Sequence, residues 1–166
     1  NSRQVQSSPI AEHVFASLLA LTRHLPLAFE RQREGRWSQN EFGGAHLPVV
    51  LRGRCLGIIG LGSIGAEVAR LGAAFGMDVV GVRRDPTRGA PPGVRQVWGA
   101  DGLDALLAAA DVVVIAAPLT TETEALLDRA RLARTRPGAR PVNIARGPLV
   151  DSAALAEAPD AGRLAG

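Results

Sequence analysis

Lysine is missing from all 166 residues, so the 19 basic side chains are arginines, and tyrosine is absent as well. Together with heavy use of alanine, glycine and proline, this is the mark of a GC-rich coding bias and carries little functional weight. It does explain an isoelectric point near 10.8 beside a formal net charge of only +3. The densest basic run, Arg129, Arg131, Arg134, Arg136 and Arg140, alternates with apolar residues and reads as the solvated face of a helix, so no nucleic-acid partner is expected. A single cysteine, Cys55, excludes an internal disulfide framework and a cysteine metal site. Its place at the head of an apolar run suits a small buried filler. His13, His24 and His46 have no ligand spacing and read as structural or surface groups, so no metal is expected. No apolar run has membrane-spanning length and no signal peptide opens the sequence, which leads to the expectation of a cytoplasmic protein with no membrane partner. A hydrophobic content of 46% and a charged content of 21% are ordinary for one soluble domain with a real core.

The chemistry gathers at residues 55–84. Cys55 to Ile59 is a short apolar run of the kind that forms a buried parallel strand, and Gly60, Gly62 and Gly65 follow it with the spacing GxGxxG. Gly60 allows a tight strand-to-helix turn. Gly62 lets backbone approach a pyrophosphate without a Cβ in the way, and Gly65 lets the helix pack close to the strand. The amides of Ser63, Ile64 and Gly65 then face the phosphates, with the positive end of the helix dipole behind them. Among 19 glycines such a spacing alone is weak. Its context strengthens it: Val68, Leu71 and Phe75 recur at helical spacing, Gly76 ends the helix, and Val79 to Val82 supply a second strand. That is a complete βαβ unit for a dinucleotide.

Taken in order, residues 1–8 are polar and loose. Pro9 suits a first helical turn, and Ile10, Val14, Leu18 and Leu21 repeat at helical spacing. Phe15, Leu19 and Leu25 lie off that stripe, so this long helix needs cover beyond the sheet, from a second domain or a partner subunit. Pro26 interrupts it, and a second helical piece runs to about Arg33. Residues 35–54 form a long aperiodic loop that should wrap onto something. After the second strand, Asp85 to Gly93 is a turn, Val94 to Trp98 a candidate third strand, Leu103 to Leu107 a short helix and Val112 to Ile115 a strand apolar on both faces. Ala116 to Thr120 closes that strand, across the crevice from the glycine turn. Thr123 to Leu127 and Arg129 to Arg134 read as helical, Val142 to Ala145 as a fifth strand, and Asp151 as the cap of a helix from Ser152 to Ala158 that Pro159 stops. The fold class is α/β: a doubly wound, Rossmann-like parallel sheet, incomplete, with a long N-terminal helix and all of residues 1–166 in one nucleotide-binding domain.

These stretches resemble the nucleotide-binding domain of the D-isomer-specific 2-hydroxyacid dehydrogenases, a group that includes phosphoglycerate dehydrogenases, glyoxylate/hydroxypyruvate reductases and formate dehydrogenases. The matches are Pro9-Ile-Ala-Glu-His13, Gly60-Leu-Gly-Ser-Ile-Gly65, Pro118-Leu-Thr-Thr-Glu-Thr123, Asn143-Ile-Ala-Arg-Gly147 with Leu149-Val-Asp151, and Gly162-Arg-Leu-Ala-Gly166. They fall in the family's order over almost the whole chain. The resemblance implies hydride transfer between a nicotinamide cofactor and a 2-hydroxy or 2-oxo acid. It implies that Arg146 binds the acid's carboxylate and keto oxygen, and that Ala117, Pro118, Ile144, Ala145 and Arg146 line the nicotinamide and ribose, with Thr123 in the same cofactor site. Leu149 and Val150 would orient the helix that Asp151 caps. A homodimer through the first helix and the 35–54 loop is implied too, which suits the over-apolar helix and Trp37.

The departures from the family shape the rest. Its catalytic histidine and the glutamate that holds it fall beyond the Gly162–Gly166 segment, and the substrate domain's first half is absent. The expectation is a truncated cofactor domain whose own turnover is in question. Pro141 opens the fifth strand and Pro159 cuts the last helix, each at the loss of an amide. The outer edge of the fifth strand is expected to be unpaired, a site of association. At the end of the second strand, where NAD-specific members carry an aspartate for the ribose hydroxyls, this sequence has Arg83 and Arg84. Guanidiniums there suit a 2′-phosphate, so NADP is expected over NAD, with Asp85 the rival that would restore NAD. Two other readings stay open: a non-catalytic NAD(H)-sensing corepressor-like module, and a methyltransferase with a similar glycine turn, against which the Asn143–Asp151 motif argues.

Overall fold

The computed structural model describes residues 6–157 and 164–165. Helix α1 (Ser7–Thr22) and helix α2 (Leu25–Arg33) precede strand β1 (Cys55–Ile59), helix α3 (Ser63–Ala74) and strand β2 (Asp78–Val82). Strand β3 (Gln96–Trp98), helix α4 (Leu103–Ala109), strand β4 (Val112–Ile115), helix α5 (Arg129–Arg134), strand β5 (Arg140–Asn143) and helix α6 (Ser152–Glu157) follow. The five strands form one sheet in the order β3-β2-β1-β4-β5, and every pairing is parallel. The chain therefore reverses its direction of winding between β1 and β4, the place where open α/β sheets present a crevice.

Alternation along the strands divides the core in two, because successive side chains leave opposite faces. Leu56, Ile58, Val79, Val112 and Val114 pack with Ala11, Val14, Phe15 and Leu18 of α1 and Val68 of α3. Ile59, Val80, Val82, Val113 and Ile115 pack with Leu103, Leu106 and Leu107 of α4, Leu132 of α5 and Ala154 of α6. The sheet is covered on both faces, as the expected doubly wound class requires.

Helix α1 finds part of its cover within the chain. Phe15 stacks on Phe75 at the end of α3, with ring centroids 4.9 Å apart and planes 4° from parallel. Leu21, Leu25 and Phe29 stay exposed. Pro26 marks the break: it stands in the first turn of α2, behind His24 in the left-handed region at φ 53°. Proline has no amide to offer the carbonyl of Thr22, and the Val49 amide donates to that oxygen instead, at 2.8 Å. The long loop thus folds back on the α1–α2 junction. It makes short turns at Gln39–Glu41 and Gly44–His46, the first tethered by Arg31, whose guanidinium pairs with Glu41 at 2.7 Å.

Five features differ from the sequence reading. Helix α1 begins at Ser7, inside the stretch expected to be loose, so Pro9 stands in its first turn two residues after the start. Strand β3 begins at Gln96 because the Val94 amide closes a turn onto Pro91 O at 3.1 Å. Residues 123–127 are not helical: Ala125 adopts φ 48°, and the Ala125 and Leu127 amides donate to Pro148 O and Leu149 O, so this segment runs beside 148–150. Strand β5 lies two residues earlier than expected. The Arg140 amide donates to Asp111 O and Ile144 to Ile115 O, so residue 141 between them turns its amide position outward, where a proline costs no ladder bond. The outer edge is also partly paired, because Leu164 bridges Ala139 in parallel and the Ala165 amide donates to Ala139 O at 3.0 Å. Asp151 does cap α6, its Oδ1 accepting from the Ala153 and Ala154 amides at 3.0 Å each. Pro159, Gly162, Arg163 and Gly166 lie outside the described residues.

Candidate functional site

Four backbone hydrogen bonds run across the carboxyl end of the sheet and set the order of what projects there. The Arg83 amide donates to Trp98 O at 3.0 Å, Gly60 to Val82 O at 2.9 Å, Ala116 to Ile59 O at 2.8 Å and Ile144 to Ile115 O at 3.2 Å. Every residue singled out from the sequence lies on this edge: Arg83 and Arg84 after β2, Gly60 to Gly65 after β1, Ala117, Pro118 and Thr123 after β4, and Ile144 to Arg146 after β5. With strands about 4.8 Å apart, the glycine turn and the Arg146 turn stand roughly 10 Å from each other across the end of β4.

At the glycine turn three positions have three steric reasons. Gly60 has φ 100°, and a Cβ there would come 2.7 Å from Ala117 N, so only glycine lets the turns after β1 and β4 touch. A Cβ on Gly65 would lie 2.1 Å from Gly60 O, which is what brings α3 down onto the strand. Gly62 differs, since a Cβ there would meet nothing within 4 Å. Its bareness is not needed by the protein's own packing and leaves room for something outside the chain. No side chain caps α3, whose first-turn amides at Ser63, Ile64 and Gly65 have no earlier helical turn to donate to. Bare amides, the positive end of a 12-residue helix and an open bend make a seat for a diphosphate.

Across the crevice, Ala117 is buried and Pro118 exposed, and the loop they open is held by one hydroxyl. Thr123 Oγ1 donates to Pro118 O at 2.7 Å and accepts from the Thr120 amide at 2.8 Å. Sequence reading placed Thr123 at the site without seeing that it shapes the loop. After β5 the brace is Asn143, which went unremarked as a site residue. Its amide nitrogen donates to Arg146 O at 2.9 Å and its Oδ1 accepts from the Ala145 amide at 3.0 Å. The asparagine beside a strand end was the available signal, since Asx side chains close turns on their own backbone. Arg146 is exposed, and its Nη1 donates to Ala145 O at 2.8 Å. The remaining guanidinium nitrogens form a fork suited to a carboxylate.

The end of β2 is made of side chains. Arg83 Nη1 donates to Gly89 O at 3.3 Å, and Arg84 Nη2 lies 3.7 Å from Glu122 Oε2. Asp85 turns back on its own segment, its Oδ1 accepting from the Thr87 hydroxyl at 2.5 Å and amide at 3.1 Å. That hydroxyl is the main reason the Asp85 carboxyl is held below the usual range; desolvation opposes it, and the Thr87 amide, Arg88 and Arg83 add to it in smaller measure. Among the described residues no group of three or more His, Cys, Asp or Glu could hold a metal ion. Two surface cavities lie elsewhere: one of about 310 Å³ at the amino ends of the strands, bordered by Arg54, Asp111, Arg136 and Arg140, and one of about 370 Å³ along Trp37 to Glu41.

A parallel sheet with a reversal beside β1, a glycine turn and an uncapped helix at that point define a dinucleotide-binding α/β protein. Residues 15–166 match the profile of the D-isomer specific 2-hydroxyacid dehydrogenase NAD binding domain, and the chain belongs to that family. It is 43% identical over 150 residues to a D-3-phosphoglycerate dehydrogenase of Mycobacterium tuberculosis, covering 89% of this chain and 27% of that protein. Two solved structures superpose with TM-scores of 0.79. One is a D-isomer specific 2-hydroxyacid dehydrogenase from Xanthobacter autotrophicus in complex with NADPH and MES, 36% identical over 99% of this chain and 64% of that one. The other is a D-lactate dehydrogenase from Aquifex aeolicus complexed with NAD and lactic acid, 33% identical over 95% of this chain and 45% of that one. The chain therefore spans about a quarter to two thirds of the length of these proteins.

Proposed function

We propose that this chain is the cofactor-binding part of an oxidoreductase of 2-hydroxy and 2-oxo acids, and that it prefers NADP(H) to NAD(H). A nicotinamide cofactor, when bound, supplies the hydride chemistry. The chain's own residues bind and orient. First-turn amides at Ser63, Ile64 and Gly65, with Gly60 and Gly62 bare beside them, take the diphosphate. Arg83 and Arg84 face the adenosine ribose and its 2′-phosphate. Ala117, Pro118, Ile144 and Ala145 wall the nicotinamide side, Thr123 fixes the loop after β4 and Asn143 the turn after β5, and Arg146 holds the acid by its carboxylate.

The single observation that carries the reading is the open space above Gly62, at the mouth of an uncapped helix and on the same edge as Arg146. The NADP preference is supported by Arg83 and Arg84 at the end of β2 and by Asp85 being occupied with Thr87. Exposed Leu21, Leu25, Phe29, Trp37, Leu47 and Val50 favour a homodimer through α1, α2 and the 35–54 loop. The cytoplasm is the compartment we assign. Titration of NADPH and NADH, followed by nicotinamide fluorescence, tests the cofactor reading: NADPH is expected to bind about tenfold tighter, the worth of one charge-assisted phosphate contact. Tighter NADH binding would overturn the preference, and no binding of either would overturn the site.

A further inference from the structure

We infer that Glu122 is a specificity-determining residue that holds down the affinity for NADP(H), by occupying Arg84 and by repelling a 2′-phosphate. The inference rests on the NADP reading above. Arg84 follows β2 and Glu122 follows β4, and the order β2-β1-β4 places the whole glycine strand between their two strands. Their ion pair at 3.7 Å thus reaches from one wall of the crevice to the other, beyond the turn where the diphosphate would sit. Both side chains are open to solvent, at 76% and 78% exposure, so the pair is free to exchange its partners.

The neighbouring groups are otherwise engaged. Asp85 is bonded to Thr87, and Arg83 reaches the carbonyl of Gly89. Thr123 Oγ1 ties the backbone of the loop that bears Glu122 to Pro118 O, and from that loop the carboxylate reaches Arg84. A 2′-phosphate carries close to two negative charges, and it must take Arg84 from Glu122 while approaching that carboxylate. The neutral hydroxyls of NAD(H) face neither cost. Glu122 therefore narrows the difference between the two cofactors without touching the part they share.

The test is a set of NADPH and NADH titrations of the 166-residue chain and its E122Q, R84Q and R84Q/E122Q variants, with thermal melting as the control for folding. In E122Q, NADPH is expected to bind about three- to fivefold tighter and NADH unchanged, as removal of one nearby like charge in water predicts. The gain should shrink when salt is raised from about 0.02 M to about 0.5 M. In R84Q, NADPH binding should weaken about tenfold, and adding E122Q to that variant should recover less than it gains with Arg84 present. Equal changes for both nucleotides, no change for NADPH, or a gain undiminished without Arg84 would each overturn the inference. If R84Q leaves the NADPH-to-NADH ratio untouched, the NADP reading itself fails and the inference with it. A ratio that falls in R84Q but stays flat in E122Q removes the inference alone.

Discussion

The turn after β1 and the tail of β2 are neighbours on one edge, yet they are built by opposite means. At the turn, backbone does everything: Gly60 touches the Ala117 backbone, Gly65 sits under Gly60 O, and Gly62 leaves a gap. Neither Gly60 nor Gly65 can be exchanged without moving a strand or a helix. At the tail of β2, polar side chains lie exposed, Arg84 in a solvent-screened ion pair with Glu122 and Asp85 in a hydrogen bond from the Thr87 hydroxyl. On the function proposed above, recognition of what all dinucleotides share rests on that rigid part. On the same proposal, the choice between dinucleotides is left to groups that one substitution can change.

The sharpest way to break that comparison is to make the same substitution at two glycines three residues apart. Gly65→Ala places a methyl against the Gly60 carbonyl, and overpacking of this kind costs about 3 kcal/mol, a fall in melting temperature of roughly 10 °C. Gly62→Ala adds a methyl in open space at φ −82°, where any residue is at ease, so stability should stay within about 0.5 kcal/mol. Nucleotide affinity should nonetheless fall at least about tenfold, because the methyl fills the diphosphate's seat. Melting curves and NADPH titrations read the two effects separately. Gly62→Ala binding like the parent would mean that no diphosphate sits there.

The same contrast decides what could be read from the sequence. Spacing that backbone sterics demand is visible as spacing, so the GxGxxG turn, the two-faced strands β1, β2 and β4, and the break at Pro26 were legible. Asp151 was legible as a cap because its role needs only local bonds. Long-range pairing was not. Residues 123–127 have helical composition, but their amides are taken by carbonyls of residues 148 and 149, which no local pattern announces. Pro141 misplaced β5 because its meaning depends on which way its missing amide would point, a matter of register against β4. Arg84 and Glu122 stand 38 positions apart, a number that follows from their places in the sequence, and only the strand order brings them together.

A milder perturbation separates the brace from the group it braces. Asn143→Ala removes the two bonds that hold the 143–146 turn, in an exposed place where water replaces part of what is lost, so stability should fall by only about 1 kcal/mol. Arg146 keeps its charge but loses its fixed carbonyl, and binding of a 2-oxo acid to the nucleotide-loaded protein should weaken several-fold while NADPH affinity holds. Calorimetry with oxamate as the acid checks both. A loss of NADPH affinity equal to that of the acid would show that the β5 turn belongs to the rigid glycine part and not to a separate one.

The smallest effect compares the two ends of β2. Asp78 at its head accepts from Arg95 at 2.6 and 2.9 Å, and that bond chiefly holds its carboxyl below the usual range; at the tail the Thr87 hydroxyl does the same for Asp85. A depressed folded-state pKa contributes stability that is complete above the unfolded value, near 3.9 for aspartate, and is lost as pH falls through the folded value. Melting temperature should therefore be flat from pH 7 to about 5 and decline below about 4. Asp78→Asn should remove part of that decline and leave both nucleotide affinities alone, because the strand's length separates it from Arg83 and Arg84. Asp85→Asn also removes a share of the decline, but it takes a negative charge from beside those arginines, so NADPH should tighten slightly while NADH does not. An identical pair of responses from the two variants would mean that charge acts on the crevice from anywhere along β2, and the division between fixed backbone and adjustable side chains would lose its spatial basis.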